Sequence, residues 1–485
     1  TISKMEEREY YPLSSAQKRI YYTASLDTNS ILYNIAGGII IDKKLDVAKL
    51  QNCFTTLIVR HDALRTRFVV KNEDIVQVID KKVDFSIETE ANNTNNLNSI
   101  YENFVKPFDL SKAPLLRAKV VTLKDDKMLL LLDMHHIISD GTSLAILLQE
   151  LCDLYNDTPL PELTIDYKDF TLWEQEQFKT DKFREAKDFW VHQFEDEIPL
   201  LNMPTTYPRP STQSFEGNNY YATLSKEVFN KVNQISQKLD ITPYMLLLSV
   251  YYILLSKYTS QEDIVVGTPI VGKEMAELSN VLGMFVNTLA LRNKINSTSS
   301  FAEFSKLVKE NCLNSFSNQI YPYDILVKDL NIKRDGGRNP LFDVMFIYQN
   351  NGYPKINFKD TNVEYFIPYG NIAKFDLSLE IIPIAHEYSL RFEYATKLFD
   401  ENFIKRLSSH YVNILDAILS DTNVKLADIQ MMSQEEENQI LYEFNDTKVD
   451  YPSDKTIIDL FEEQVQKNPK KIAVVFEDKK LTYQE

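Results

Sequence analysis

Residues 127–141 read KMLLLLDMHHIISDG. The apolar run from Met128 to Leu132 shows no alternation, which suits a strand buried on both faces in the middle of a sheet. Ile137 to Gly141 turns the chain, and Ser143 to Tyr155 has the spacing of an amphipathic helix. His135 and His136 therefore stand where a central strand ends and a helix begins, the place where α/β proteins commonly gather their active-site groups. Neighbouring strand residues point to opposite faces. One histidine can face a cavity while the other belongs to the supporting layer. An imidazole titrates near neutrality and can accept a proton at cellular pH; the alternative is a pair of buried, hydrogen-bonded histidines with no chemistry. Asp140 could fix the turn, pair with a distant Arg or cap the helix. Gly141 allows a tight backbone before that helix. Because adjacent strand residues diverge, His135, His136 and Asp140 make a poor metal site.

Outward from this stretch, the chain alternates helices and strands. Ser14 or Ser15 caps a helix running to Tyr22, a strand is predicted over 36–42, and Val47 to Arg60 carries Leu50, Phe54, Leu57 and Ile58 on one helical face. A strand is predicted over 63–70 and an Asn-rich loop over 92–98. Beyond a Pro-, Thr- and charge-rich stretch that contains a helix over 171–195, a second set follows. It comprises strands at 219–224, 263–270, 284–292, 342–349, 374–383 and 387–395, with helices at 226–239, 243–258, 301–318 and 401–420. The pattern predicts two α/β lobes dividing near residue 175. Residues 1–10 read as a linker, 11–175 and 176–435 as the two lobes, 436–450 as a second linker, and 451–485 as a fragment of a further domain.

Composition narrows the class. In 485 residues, 44% are hydrophobic and 12% aromatic, enough for a large core. The net charge of −17 and the absence of a basic stripe argue against nucleic-acid binding. With only 11 glycines, a glycine-rich phosphate cradle is not expected. The three cysteines, Cys53, Cys152 and Cys312, are far apart and read as thiols of a reducing, cytoplasmic compartment. Apolar runs are too short for a membrane span. The chain begins at Thr1 without a Met and reads as a piece of a longer polypeptide.

Six stretches then carry a resemblance. MHHIISDG at 134–141 resembles the HHxxxDG motif of condensation domains of nonribosomal peptide synthetases. PLSSAQKRIYY at 12–22, RHDALRTRF at 60–68, YKDFTLW at 167–173, LGMFVNTLALR at 282–292 and RDGGRNPLFDVMF at 334–346 resemble other motifs of that family, in family order over residues 10–435. NQIYPYD at 318–324 departs from it, with Asn318, Tyr323 and Asp324 where His, Phe and Glu are often found. Residues 443–485 look like the start of an adenylation domain, and EEREYYPLSSAQ looks like a linker leaving an upstream carrier domain.

The resemblance implies an α/β fold of two chloramphenicol-acetyltransferase-like lobes, a V-shaped pseudo-dimer with a tunnel between them. It implies peptide bond formation between a donor thioester and the α-amine of an acceptor thioester, with an L-configured donor. It further implies carrier domains upstream (donor) and downstream (acceptor) that supply 4'-phosphopantetheine arms, an adenylation domain in cis, and no permanently bound cofactor or metal. Within it, His136 is the catalytic residue and His135, Asp140 and Gly141 support it, with Asp140 paired to Arg292 across the lobes. Arg67, Trp173 and Asn287 support the tunnel or, alternatively, serve as core or turn residues. Two rival readings remain: a coenzyme A-dependent acyltransferase of the same superfamily, against which the adenylation-like tail argues, and a silent recruitment domain, against which the intact MHHIISDG argues.

Overall fold

Met128–His135 is the middle strand of a five-stranded sheet ordered Val363–Phe366, Asn34–Ile41, Met128–His135, Leu116–Thr122, Glu88–Ala91. All eight of its residues are buried. The pleat sorts them. Met128, Leu130, Leu132 and Met134 face a core with Leu50, Phe54 and Leu57 of the helix Val47–Arg60 and Leu147 and Leu151 of the helix Gly141–Tyr155. Leu129 and Leu131 face Ile100 and Phe104 of the helix Leu97–Phe104. Each such leucine contributes about 2 kcal/mol of apolar burial, so a continuous apolar run here needs both covers. Asp133 is the exception, fully buried on the second face. It accepts from Asn34 Nδ2 at 3.0 Å and lies 3.5 Å from Arg117. Burial nonetheless raises its carboxyl to about 7.

The computed structural model describes residues 2–91, 96–273, 275–333, 335–350 and 353–485. Part of the expected loop at 92–98, and Arg334 of the last motif, lie outside the described residues. The chain forms two compact units, Thr1–Met431 and Met432–Glu485.

In the second half of the first unit, a six-stranded sheet runs Asn287–Lys294, Asp263–Ile270, Val344–Tyr348, Leu377–Ile384, Glu387–Ala395, Gly217–Leu224. The helix Pro243–Thr259 packs into its core with every residue from Met245 to Leu255 buried. Thr242 caps that helix and Pro243 occupies its first turn, where a missing N–H costs nothing. Among the described residues, no single helix is long and apolar enough to cross a membrane.

Several expectations need correction. The helix expected over 171–195 is two, Tyr167–Gln177 and Asp181–Gln193, because Thr180 leaves helical geometry to cap the second. The strand expected from residue 63 starts at Thr66, after a 3-10 turn over Asp62–Arg65. It belongs to a separate three-stranded sheet with Tyr11–Pro12 and Asp74–Ile79.

The division into lobes over 11–175 and 176–435 is crossed twice. Val363–Phe366 pairs antiparallel with Asn34–Ile41 as an edge strand of the first sheet. Leu278, Val281, Leu282, Met284 and Phe285 are buried in the first core. There the Phe285 ring lies 5.0 Å from Tyr167 and 4.9 Å from Phe170. Gly283 makes this crossing tight. A Cβ on it would lie 1.9 Å from the Tyr167 ring, so no larger residue fits.

The second unit has its own small pattern. Gln434–Asn438 is helical at the start of the expected linker 436–450. Thr456 and Asp459 form a capping box for Ile457–Lys467, followed by the hairpin Ile472–Phe476 with Lys479–Thr482.

Candidate functional site

The turn after the central strand is fixed at nearly every polar atom. The His136 N–H donates to the Tyr33 carbonyl at 2.7 Å. The Ile137 N–H donates to His135 Nδ1 at 3.1 Å, and Gln17 Nε2 donates to the Ile137 carbonyl at 3.2 Å. The Ser139 hydroxyl donates to the His135 carbonyl at 3.0 Å. Such a turn holds its side chains in one geometry, as a site needs.

Within it the two histidines take different parts. His135 is buried, with Nδ1 an acceptor and the rings of Tyr33 and Phe108 at 6.4 and 6.1 Å. Burial pushes its pKa down to about 4. His136 is half-buried. Its Nδ1 lies 2.8 Å from the Ser139 carbonyl, an atom that can only accept. Nδ1 therefore carries the proton, and the lone pair sits on Nε2. Burial, with the nearby charge of Lys374 second, pushes the His136 pKa down to about 3. The ring is neutral throughout the physiological range.

Asp140 is fully buried and caps the helix Gly141–Tyr155, accepting from the Ser143 N–H at 2.7 Å. Its second oxygen accepts from the Phe285 N–H at 3.1 Å. Beside it the Ser143 hydroxyl donates to the Gly283 carbonyl at 2.9 Å. The turn is thus tied to the crossing segment. Lys273 donates to the Val281 carbonyl at 2.8 Å and lies over the Phe285 ring, where the Asp140 charge partly offsets the effect of its burial.

A cavity of about 220 Å³ opens between elements of the two halves, lined in part by Arg19, Trp173, Glu174, Phe285, Asn287 and Asp324. Burial raises the Glu174 carboxyl to about 7. Arg19 links cavity and turn, since its charge also acts on His136.

The family model described as Condensation domain matches residues 7–441. The chain belongs to the condensation-domain family. Its curated relatives include gramicidin S synthase 2 of Brevibacillus brevis, 43% identical over 486 residues, and tyrocidine synthase 2 of Brevibacillus parabrevis, 41% identical over 484; both alignments cover 100% of this chain. The chain spans 11% and 14% of those two proteins. Among solved structures, a four-domain nonribosomal peptide synthetase bound to AMP and glycine matches with TM-score 0.84 and 20% identity, covering 100% of this chain and 38% of that one. The X-domain from teicoplanin biosynthesis matches with TM-score 0.82 and 18% identity, covering 89% of this chain and 100% of that one. These likenesses give the fold, two chloramphenicol-acetyltransferase-like lobes of mixed α/β structure.

The condensation-domain turn holds His135, His136, Asp140 and Gly141 together, but Arg292 lies elsewhere. The expected Asp140–Arg292 pair is replaced by another. Arg292 is bound by Asp263 at 2.7 Å, Asp196 at 2.6 Å and the carbonyls of Gln193 and Glu197. Each Asp140 oxygen already accepts from a backbone N–H, which satisfies the carboxylate without a guanidinium. Arg292→Met should lower stability by about 2 kcal/mol and leave the single-turnover rate of the folded domain unchanged. Denaturant titration and rapid quench would check both.

Gly141 also differs from expectation. Its φ is not in the left-handed region and a Cβ would meet nothing within 4 Å, so the backbone does not require glycine. Gly141→Ala should therefore stabilise by about 0.4–1 kcal/mol. Gly141→Trp, which fills the open space beside the turn, should fold and turn over slowly. Calorimetry and initial rates distinguish the two effects.

Trp173 and Asn287 line the cavity. Asn287 Nδ2 donates to the carbonyls of Gln319 and Tyr321, and its Oδ1 accepts from the Tyr323 N–H at 3.2 Å. It thereby anchors the divergent NQIYPYD segment. Arg67 does not reach the cavity; it pairs with Asp80 at 3.1 Å in the three-stranded sheet. Sequence reading missed Gln17, Arg19, Tyr33, Tyr167 and Lys374. Gln17, Arg19 and Tyr167 lie in family motifs, but nothing local distinguishes a long-range contact from a helix-surface residue.

Proposed function

We propose that this condensation domain joins two thioester-bound substrates, with His136 as the group that handles the proton. The supporting observation is the neutral imidazole of His136, its Nδ1–H committed to the Ser139 carbonyl and its Nε2 lone pair available. The acceptor α-amine attacks the donor thioester carbonyl, and the acyl chain moves to the acceptor. An α-amine has a reference pKa of about 7.7–8.0, so part of it is already neutral and no strong base is needed beforehand. His136 orients the amine and takes the proton late. Aligning two tethered reactants supplies effective molarities on the order of 10⁵–10⁸ M.

On the same reading, the substrates arrive on 4'-phosphopantetheine arms of an upstream donor and a downstream acceptor carrier domain. His135 and Asp140 support the turn, and Gly141 leaves open space beside it. The donor is L-configured, and residues 451–485 begin an adenylation domain acting in cis; the resemblance of PLSSAQKRIYY at 12–22 and of residues 443–485 to family stretches supports these two points. The test is reconstitution with two loaded carrier domains and intact-mass spectrometry. Transfer of the donor acyl mass onto the acceptor carrier supports the reading. Retention of both loads, or hydrolysis alone, refutes it.

A further inference from the structure

Lys374 comes from the second half of the chain, its charge acts on both histidines of the turn, and its backbone position is strongly constrained. Its carbonyl accepts from Gln213 Nε2 at 3.0 Å and Asn339 Nδ2 at 3.3 Å. The preceding Ala373 donates its N–H to the Phe215 carbonyl at 2.9 Å and packs against Gly217, where a Cβ would come within 2.5 Å of the Ala373 nitrogen. The side chain runs to Tyr33, with Nζ 5.0 Å from the ring centroid. Tyr33 is the residue whose carbonyl holds the His136 N–H. Among the described residues the ammonium makes no ion pair. The carboxylate that pulls on it most is Glu393, which lies 3.8 Å from Arg391 instead. Lys374 is half-buried, and holding its charge there without a carboxylate partner is unfavourable; the Tyr33 ring offsets only part of that cost.

We propose that the Lys374 ammonium donates a hydrogen bond to the oxyanion formed when the acceptor amine adds to the donor thioester; this rests on the condensation reaction proposed above. The amine lone pair forms the N–C bond while the carbonyl π pair moves onto oxygen. Lys374 hydrogen-bonds that oxygen and keeps its own proton. Nε2 of His136 takes the proton from nitrogen. The oxygen pair then re-forms the carbonyl, the C–S bond breaks, and His136 returns the proton to the leaving thiolate. A fixed cation in a partly dehydrated site stabilises such developing charge without reorganisation. Burial also moves the Lys374 ammonium down to about 8, which leaves most of it charged at neutral pH.

The experiment compares the parent chain with Lys374→Met and Lys374→Arg. A panel of L-aminoacyl thioesters on phosphopantetheinylated carrier domains supplies donors and acceptors, and the pair that the parent condenses fastest is used throughout. Lys374→Met should lower the single-turnover rate about 10²-fold, with the half-saturating acceptor concentration unchanged and the melting temperature equal or higher. Lys374→Arg should recover part of the rate. A Lys374→Met chain that condenses at the parent rate overturns the proposal. So does a loss that follows a fall in melting temperature and is not relieved by arginine. If the parent condenses no pair, the functional reading fails and this inference fails with it.

Discussion

A His136→Ala chain folds and melts close to the parent, yet transfers the acyl chain about 10²–10⁴-fold more slowly in a single turnover. Stability changes little because the ring is neutral and its Nδ1–H makes one hydrogen bond, to Ser139, worth about 1 kcal/mol. The rate falls because the nitrogen of the tetrahedral adduct must lose a proton, and the Nε2 lone pair of His136 is the acceptor assigned to it. A pKa of about 3 makes His136 a weak base toward the free amine. It is adequate toward the far more acidic nitrogen that has already bonded to carbon. The residual rate measures alignment together with the other groups of the site. Rapid-quench transfer between loaded carriers checks this; a variant within threefold of the parent (about 0.6 kcal/mol in barrier) would remove His136 from the mechanism.

Asp140→Ala has the larger effect on folding. The helix Gly141–Tyr155 loses its cap, costing about 1 kcal/mol. The buried Phe285 N–H loses its acceptor, costing about 1–3 kcal/mol more. Together the loss is about 2–4 kcal/mol, a large share of the 5–15 kcal/mol that typically holds a domain folded. Because the same carboxylate joins the turn to the crossing segment, activity should fall alongside stability. Asp140→Asn keeps one oxygen for the cap and should cost less. Equilibrium denaturation measures both variants, and an Asp140→Ala chain with unchanged stability would contradict the role.

The apolar run at Met128–Leu132 made the central strand legible, since only a strand covered on both faces needs such continuity. Helices with clear spacing or caps, such as Val47–Arg60 and Glu401–Ser420, were legible for the same local reasons. The short strand Val363–Phe366 was not, because its pairing partner at Asn34–Ile41 lies over three hundred residues away in sequence and only tertiary contact makes it a strand. In the site, the turn motif was readable as a unit. The Asp140–Arg292 pairing failed because sequence offers matching charges without distances, and the carboxylate found backbone donors first. Lys374 was invisible for the converse reason: its role depends on where the second half of the chain lies against the first.

On this mechanism His136 stays neutral, with its proton on Nδ1 and a lone pair on Nε2. Nitrogen-15 NMR of histidine-labelled protein tests it directly, with the His136→Ala chain to assign the signal. Burial lowers the folded pKa below the ordinary 6.5, so the folded ring binds no proton between that value and about 3. Nδ1 should be protonated and Nε2 unprotonated from pH 8 down to at least pH 5. Titration of the His136 signal near pH 6.5, or a proton found on Nε2 at neutral pH, would contradict it.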